Sequence, residues 1–432
     1  MTAPRCPAPT SPGSALWAPS APPPAPVTTD PLAPDPARSA GVATIGLVAS
    51  ERAVIVGGGV LGTMHALEAC RRGWEVTHLE ADAGPRRASV RNFGLIWVSG
   101  RAAGAELELA LRARELWGQL ALDAPGIGFR PDGSLTLATH QDELDLMAEA
   151  AAQPDAAARG FELLDAAGVR SRNPVLKGEL VGGLWCDQDA VVEPGSVLGA
   201  VRNLLEAGGR YRWLPGRQIV DVDSGGSEDS GVAAVDHLGR RHRGDVVLVC
   251  LGDRLSGLGG TVGAQLAAAP LRRCRLQMMQ TAPSPERVAT ALADADSMRY
   301  YPAFDLPGRA GLPPPRPETS RWGMQLLLVQ RADGSLTIGD THVYDEPFDF
   351  AVDESVYDQL CARAEGLLGW ELPPTERRWA GVYTATTDDR IWWSAQVGPS
   401  VRVVTGPAGR GMTLSPAIAE RSWDELIGVH SG

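Results

Sequence analysis

The stretch Ala53-Val-Ile-Val-Gly57-Gly-Gly59-Val-Leu-Gly62, answered by Glu80 at the end of Trp74-Glu-Val-Thr-His-Leu-Glu80, narrows the choice of architecture more than any other. An apolar run precedes a Gly-x-Gly-x-x-Gly turn, a helical stretch from Thr63 to Arg72 follows it, and Gly73 sits where that helix should stop. This is the order of a dinucleotide-binding βαβ unit. Gly57 permits the tight turn, Gly59 lets backbone approach a pyrophosphate, and Gly62 lets helix and strand pack closely. Gly58, Val60 and Leu61 complete the turn, and the helix N-terminus offers N–H groups and partial positive charge to phosphates. Glu80, followed by Ala81, is placed to accept hydrogen bonds from ribose hydroxyls. The plain alternative is a glycine-rich corner of an ordinary α/β protein. An acidic residue at the fingerprint distance counts against it.

The chain has 432 residues, 44% hydrophobic and 21% charged, which suits a soluble globular enzyme of about two domains. A net charge of −12 argues against nonspecific attraction to nucleic acid or an anionic membrane, so an anionic substrate needs a dedicated arginine pocket. Cys6, Cys70, Cys186, Cys250, Cys274 and Cys361 are scattered without a C-x-x-C pair, and the histidines show no metal-ligand spacing, so no metal is expected. With no apolar run of membrane-spanning length and no signal-peptide core, a cytoplasmic location with reduced thiols is the expectation. Residues 1–48, with runs such as Ala21-Pro-Pro-Pro-Ala-Pro26, are too poor in apolar surface to offset the entropy of ordering and are expected as a disordered tail.

Helical periodicity is expected over Ala105 to Leu122, Gln141 to Ala152, Val197 to Ala207 with Ser196 as N-cap, Asp353 to Leu368 and Met412 to Ile427. Asp245-Val-Val-Leu-Val-Cys250-Leu-Gly252 is a continuous apolar run ending in glycine, as in a buried parallel strand that opens into a ligand loop. Strands are further expected at Gln218 to Val222, Val232 to Val235, Leu271 to Gln280, Met298 to Ala303, Gln325 to Gln330 and Ser335 to Tyr344, the last two joined at Asp333-Gly334. Near the end, Val401-Arg-Val-Val404-Thr-Gly406 runs into the glycine loop Pro407-Ala-Gly409-Arg-Gly411 and a helix. That helix N-terminus is suited to stabilising negative charge on a bound ring.

Taken in order, Gly57 to Gly62 with Glu80, Val246 to Gly252, and Gly406-Pro-Ala-Gly-Arg-Gly411-Met412-Thr413 resemble the D-amino-acid-oxidase-like superfamily, which includes glycine and sarcosine oxidases. More narrowly, Ala88-Ser-Val-Arg-Asn-Phe-Gly94, Leu271 to Met278, Gly339-Asp-Thr-His342, Arg378 to Tyr383 and Gly411 to Leu414 are similar to a subgroup of FAD-dependent oxidoreductases associated with phosphonate metabolism. The resemblance implies an α/β fold in which a Rossmann-like FAD-binding domain is interleaved with an antiparallel-sheet α+β substrate domain. Residues 49–122, 181–264 and 376–432 would build the first, and residues 123–180 and 265–375 the second. It further implies that Ser89, Asn92, Gly94, Val220, Gly252, Gly406, Gly409, Gly411, Met412 and Thr413 contact FAD beside the fingerprint residues.

The reaction implied is C–N oxidation of a small aminoalkylphosphonate related to 2-aminoethylphosphonate, giving phosphonoacetaldehyde or an analogue, with oxygen or another carrier taking the electrons. A glycine- or sarcosine-type oxidase is the alternative within the class, and a noncatalytic flavin-binding protein the alternative outside it. Monomeric sarcosine oxidases carry a flavin-linking cysteine before Tyr-Thr-x-Thr-x-Asp; here Gly381 precedes Tyr383-Thr-Ala-Thr-Thr-Asp388, so the FAD is expected to be noncovalent. Their substrate-binding lysine is matched by Thr413, which disfavours a plain α-amino acid. Arg91 and Asn92, in the loop expected beside the flavin, are candidates to hydrogen-bond flavin or substrate, as are Tyr383 and Arg410. His342 and Tyr344, read on one strand face with Asp340, would line the substrate cavity, and Arg273, Arg275 and Gln277 share a face that could bind an anion or simply be solvated.

Overall fold

Strand Arg52–Val56 is buried on both faces apart from its first residue, which is why its sequence is an unbroken apolar run rather than an alternating one. It pairs in parallel with Glu75–Leu79 on one side and Val246–Val249 on the other. Tyr211–Leu214 extends the sheet beyond Glu75–Leu79, and Val401–Thr405 beyond Val246–Val249; antiparallel Trp393–Gln396 closes the latter edge. Helices Val60–Arg71, Val197–Ala207 and Gly411–His430 share one core with this six-stranded sheet, through residues such as Ile55, Met64, Leu205 and Trp423. The computed structural model describes residues 51–224, 231–349 and 351–430. The expected tail, residues 1–48, lies outside the described residues.

A second sheet of eight strands runs in the order Thr375–Thr386, Leu271–Pro283, Ser335–Gly339, Leu327–Gln330, Ala291–Ala293, Ser134–Ala138, Gly182–Cys186, Phe161–Asp165. Every pairing is antiparallel except that of Ala291–Ala293 with Ser134–Ala138. One face packs helix Glu354–Leu368 through Leu135, Ile338, Tyr357 and Leu360. Its other face carries Leu276, Met278, Leu327 and Tyr383 toward the first sheet's loops. Gly182–Cys186 and Thr375–Thr386, assigned from sequence to cofactor segments, are both strands of this second sheet. Among the described residues no helix is long and apolar enough to cross a membrane, and no cluster of His, Cys, Asp and Glu has metal-binding geometry.

Several expected elements change on folding. The helix after the fingerprint begins at Val60, at the turn itself, and Gly73 follows it with φ +91°. Met298 to Ala303 is not a strand: Ser297–Tyr300 is a helical turn and Pro302–Phe304 a 3₁₀ turn. Asp294 accepts the Ser297 N–H and Pro302 has no N–H for a sheet ladder, so both ends favour a turn. Ser335 to Tyr344 stays a strand only as far as Gly339. Ser196 precedes its helix as expected but donates its hydroxyl to the Gly126 carbonyl instead of capping. Asp353, by contrast, caps its helix by accepting the Ser355 N–H.

Candidate active site

Three glycines of the fingerprint are held where a Cβ does not fit. On Gly57, with φ +105°, a Cβ would stand 2.1 Å from the Cys250 carbonyl oxygen; on Gly62 it would stand 1.8 Å from that of Gly57. A Cβ on Gly58 would meet the Trp213 ring at 2.4 Å. Strand, turn and helix therefore close on one another through bare backbone, and a cradle for a pyrophosphate is left in front of the helix. Glu80 ties the turn from below: Oε2 accepts the Gly58 N–H at 2.6 Å and Oε1 the Asp82 N–H at 2.9 Å. Ser89 lies at the helix start, its Oγ accepting the Val60 N–H at 2.9 Å.

His78, buried in the second strand, adds a support that the sequence reading missed. Its Nε2 lies 2.9 Å from the Gly57 carbonyl and its Nδ1 2.8 Å from the Tyr211 hydroxyl. A carbonyl only accepts, so Nε2 carries the hydrogen and Nδ1 accepts from the phenol. Burial holds the ring neutral, bringing its pKa from 6.5 down to about 4. The unfolded chain takes up this proton first, so the stability it contributes is whole above about pH 6.5 and is lost as pH falls toward 4. We therefore expect the difference in melting temperature between the native protein and His78→Gln to shrink across that window. A constant difference would show that His78 is not the titrating group.

Two cavities meet at this turn. The first, about 1150 Å³ including its mouth, runs from Glu80, Ala81 and Ile219 past Gly57, Gly59, Val60 and Leu61 to Gly252 and Gly406. Arg87 reaches across its mouth to Asp253 at 2.7 Å. The second, about 1430 Å³, lies over the eight-stranded sheet and is lined among others by Arg91, Leu276, Tyr300, Asp340, His342 and Arg410. Val60, Ala88, Ser89, Tyr383, Ala408 and Gly411 line both, so the two cavities adjoin along one wall. Where they join, the C-terminal loop turns sharply, with φ +74° at Gly406 and +52° at Ala408. Placing a residue with a Cβ in that region, as at Ala408, costs on the order of 1 kcal/mol.

Several expected site residues turn out to be engaged by protein. Asn92 donates to the Ala88 carbonyl and accepts the Gly94 N–H, which folds its own loop. Thr413 Oγ1 accepts the Trp97 N–H at 2.9 Å and donates to the Leu95 carbonyl, while the Met412 and Thr413 carbonyls accept from Trp117 Nε1. Gly94, with φ +69°, is pressed against the Val192 carbonyl, and Gly252 accepts the hydroxyls of Thr384 and Thr405. Val220 lines neither cavity; Gln218 and Ile219 do, and the Val220 carbonyl accepts the Gly259 N–H. Arg91 lines the second cavity with its guanidinium donating to the Ala380 carbonyl at 3.0 Å.

Deeper in the second cavity the arrangement is more specific. Tyr300 and Tyr383 place their hydroxyls 3.2 Å apart, and Tyr300 stacks on His342 at 4.1 Å. Burial pushes the Tyr383 phenol well above its ordinary pKa, and both phenols are neutral near neutral pH and able to donate. Gly323 accepts from His342 Nδ1 at 3.0 Å, and Nε2 lies 3.8 Å from Asp340. Burial also raises the Asp340 carboxyl. Asp340, His342 and Tyr344 thus share a cavity as expected, although the strand that was to align them has already ended.

Arg273, Arg275 and Gln277 face the other way. Arg273 pairs with Glu346, Arg275 with the Ala351 carbonyl, and Gln277 accepts the Asp353 N–H at 2.7 Å. It is the alternate positions, Arg272, Leu276 and Met278, that line the cavity. Arg101 and Glu106 were not singled out at all. Buried Glu106 bonds Arg101 at 3.4 Å and Arg410 at 3.3 Å through the same oxygen, Oε1. Arg101 Nε is fixed by the Trp97 carbonyl and Arg410 Nε by that of Pro407. The acidic first turn of Ala105–Asp123 was the one local signal for this site, since a carboxylate at a helix start often holds a neighbouring loop.

A family model described as FAD dependent oxidoreductase, DAO, matches residues 52–422. An opine oxidase component from Agrobacterium tumefaciens (strain Ach5) is 28% identical over 250 residues, spanning 55% of this chain and 64% of that relative. The chain thus matches less than two thirds of that protein's length. Among solved structures, glycine oxidase from Bacillus cereus ATCC 14579 is similar with a TM-score of 0.71 at 18% identity, over 88% of this chain and 95% of that one. Iminodiacetate oxidase from Chelativorans sp. BNC1 is similar with a TM-score of 0.66 at 17% identity, over 88% and 95%. At these identities the likeness is one of fold.

Proposed function

Because the chain belongs to the DAO family of FAD dependent oxidoreductases and takes FAD as its cofactor, we propose that it oxidises the C–N bond of a small anionic amine, an aminoalkylphosphonate first among them. The observation that carries this reading is a pair of guanidiniums on one buried carboxylate, Arg101 buried and Arg410 half-buried. Arg101 and Arg410 share a single Glu106 oxygen, so one positive charge in the cavity wall is left uncompensated. An anionic group on the substrate supplies the missing partner, with the directional forks that arginine offers to oxyanions.

The joined cavities suit FAD held by shape and hydrogen bonds. Gly381 has no side chain through which to link it, and Cys274, which burial pushes up to about 11, is not ionised near neutral pH. Bound FAD supplies the two-electron acceptor for amine oxidation. The chain's own residues orient the amine and manage its proton. His342, held through Nδ1 at the Gly323 carbonyl, has Nε2 as the ring nitrogen left to exchange a proton with the incoming amine. The hydroxyls of Tyr300 and Tyr383, both neutral, hold the amine or its oxidised product without competing for that proton. We take oxygen, reduced to hydrogen peroxide, as the electron acceptor.

A phosphonate is favoured over a carboxylate by charge. Arg91, Arg101, Arg272 and Arg410 line the cavity against Glu106, Asp340 and Asp388, and Asp388 is already taken by Arg390 at 2.7 Å. A group bearing up to two negative charges gains more from that excess than one bearing a single charge. The second reading, a carboxylate-bearing amine, is favoured by two structural relatives that are a glycine oxidase and an iminodiacetate oxidase. Anaerobic mixing of the yellow holoprotein with each class separates the two. Aminoalkylphosphonates are expected to bleach the flavin at lower concentration than glycine, sarcosine or proline; bleaching by the carboxylates alone would end the phosphonate reading.

A further inference from the structure

We propose that Asp189, which lines neither cavity, is a positioning residue for substrate binding: its carboxylate fixes the turn from Val98 to Arg101 and so sets where the Arg101 guanidinium stands in the cavity wall. This rests on the reading of Arg101 as a receptor for the substrate's anionic group. Asp189 is fully buried, and both of its oxygens are occupied. Oδ1 accepts the Val98 N–H at 2.5 Å and the Ser99 N–H at 3.0 Å, while Oδ2 accepts the hydroxyls of Ser99 and Ser134, each at 2.6 Å. Arg159, also buried, grips the same two residues from the other side, Nη1 donating to the Val98 carbonyl at 3.1 Å and to that of Ser99 at 3.2 Å. One carboxylate therefore takes the N–H groups, and one guanidinium the carbonyls, of two consecutive residues. Hydrogen bonds to ionised groups are the stronger kind.

The link to Arg101 passes through a single peptide group. The Trp97 carbonyl, which accepts Arg101 Nε at 2.9 Å, and the Val98 N–H, which Asp189 accepts, belong to the same planar unit. Rotating that plane off Asp189 swings the carbonyl away from the guanidinium. The Val98 carbonyl also accepts the Arg101 N–H at 3.1 Å, which closes the turn. Gly100 lies flat against the Tyr301 ring, where a Cβ would come within 2.6 Å, so the turn has no room to move that way.

Three parts of the fold meet at this carboxylate. Pairing of Leu95–Ile96 with Ala190–Val191 brings Asp189 alongside Val98, and Ser134 belongs to the eight-stranded sheet. At the near end of the loop Thr413, three residues after Arg410, accepts the Trp97 N–H. Arg410 and Arg101 are thus joined through a short run of hydrogen-bonded backbone, with Asp189 holding the Arg101 end. An arginine fork binds an oxyanion only when its two N–H groups are aimed together, so a shift of its support weakens binding although the charge is unchanged.

A double-mutant comparison on the FAD-loaded protein, read by anaerobic bleaching with 2-aminoethylphosphonate and with glycine, tests this. Asp189→Ala is expected to raise the concentration for half-bleaching about tenfold, with the limiting bleaching rate and FAD retention near those of the native protein. In an Arg101→Met background it should add nothing, because no guanidinium is left to misplace. Asp189→Asn should recover most of the loss, since the amide oxygen accepts both N–H groups and the amide nitrogen donates to hydroxyls that turn to accept. Arg159→Met acts on the same turn from the carbonyl side and carries the comparison if Asp189→Ala does not fold. An unchanged requirement in Asp189→Ala, a loss of the same size in the Arg101→Met background, or a parallel loss of FAD would overturn the positioning role and leave the reading of Arg101 standing. If Arg101→Met alone changes nothing, or neither amine bleaches the native protein, that reading falls and the positioning role with it.

Discussion

Gly62→Ala should give a protein that folds but no longer retains FAD. The added methyl carbon would lie 1.8 Å from the Gly57 carbonyl oxygen and 3.2 Å from His78 Nε2, so it strikes both partners of the hydrogen bond that sets the turn. Neither neighbour is the free end of a flexible side chain. Relief requires the first turn of helix Val60–Arg71 to move off the strand, at about 1–3 kcal/mol, and moving it spoils the alignment of backbone with the pyrophosphate. The dissociation constant for FAD, read from quenching of free flavin fluorescence, is expected to rise on the order of 100-fold, since each tenfold corresponds to about 1.4 kcal/mol. Gly411→Ala is the control. A Cβ there meets only Pro407 Cγ, at 3.4 Å, in a loop lining the same path, and retention should change little. Equal retention in Gly62→Ala and Gly411→Ala, with apoprotein melting unchanged, would show that close packing at the fingerprint does not govern binding.

Arg101→Met is expected to act on the substrate with as large an effect and to spare the cofactor. Arg101 is 4% exposed, and its removal leaves Glu106 with Arg410 and the Ala102 N–H as partners. The local charge then falls from one positive to none, and the attraction for an anionic group falls with it. Truncating one member of a buried charged pair costs about 2–5 kcal/mol, so the substrate concentration for half-bleaching should rise by roughly 100-fold or more. FAD retention should stay near that of the native protein, because Arg101 lines only the second cavity. Arg101→Lys keeps the charge without the fork and should recover part of the loss. An unchanged substrate requirement in Arg101→Met would remove this pair from the site, whereas parallel loss of FAD would reassign it to the cofactor.

The turn at the head of the first cavity was legible in the sequence, although much of that cavity's wall, such as Arg87, Gln218 and Asp253, was not. Gly57, Gly59, Gly62 and Glu80 act through turn geometry and short strand-to-helix distances, and those are properties of neighbours in the chain. The apolar runs at Val54, Val247 and Val403 announced buried parallel strands for the same local reason. The second cavity was legible only in part. Period-two alternation placed Arg272 and Arg273 on opposite faces of Leu271–Pro283 but could not tell which face the cavity would take, because both faces carry arginine. Asp340 and His342 were grouped correctly by a strand that stops at Gly339, so right neighbours came from an element that does not extend that far. Tyr300 and Tyr301 were read into a strand, and their real setting depends on Asp294 accepting the Ser297 N–H and on Pro302.

By itself, then, the sequence determined the βαβ unit, the glycine turn that receives a dinucleotide, and the order of segments that resembles an FAD-dependent oxidoreductase. Backbone sterics, side-chain periodicity and helix dipoles are short-range, and short-range physics is written in consecutive residues. The tertiary structure decided where the charge of the substrate cavity lies. Glu106 at the start of one helix meets Arg410 at the start of another, 304 positions away in the chain, and Arg101 joins them through the same oxygen. Such a meeting depends on how helix Ala105–Asp123 packs against the Gly406 to Gly411 loop. Coulomb attraction between buried groups follows distance in space, which no spacing along the chain records.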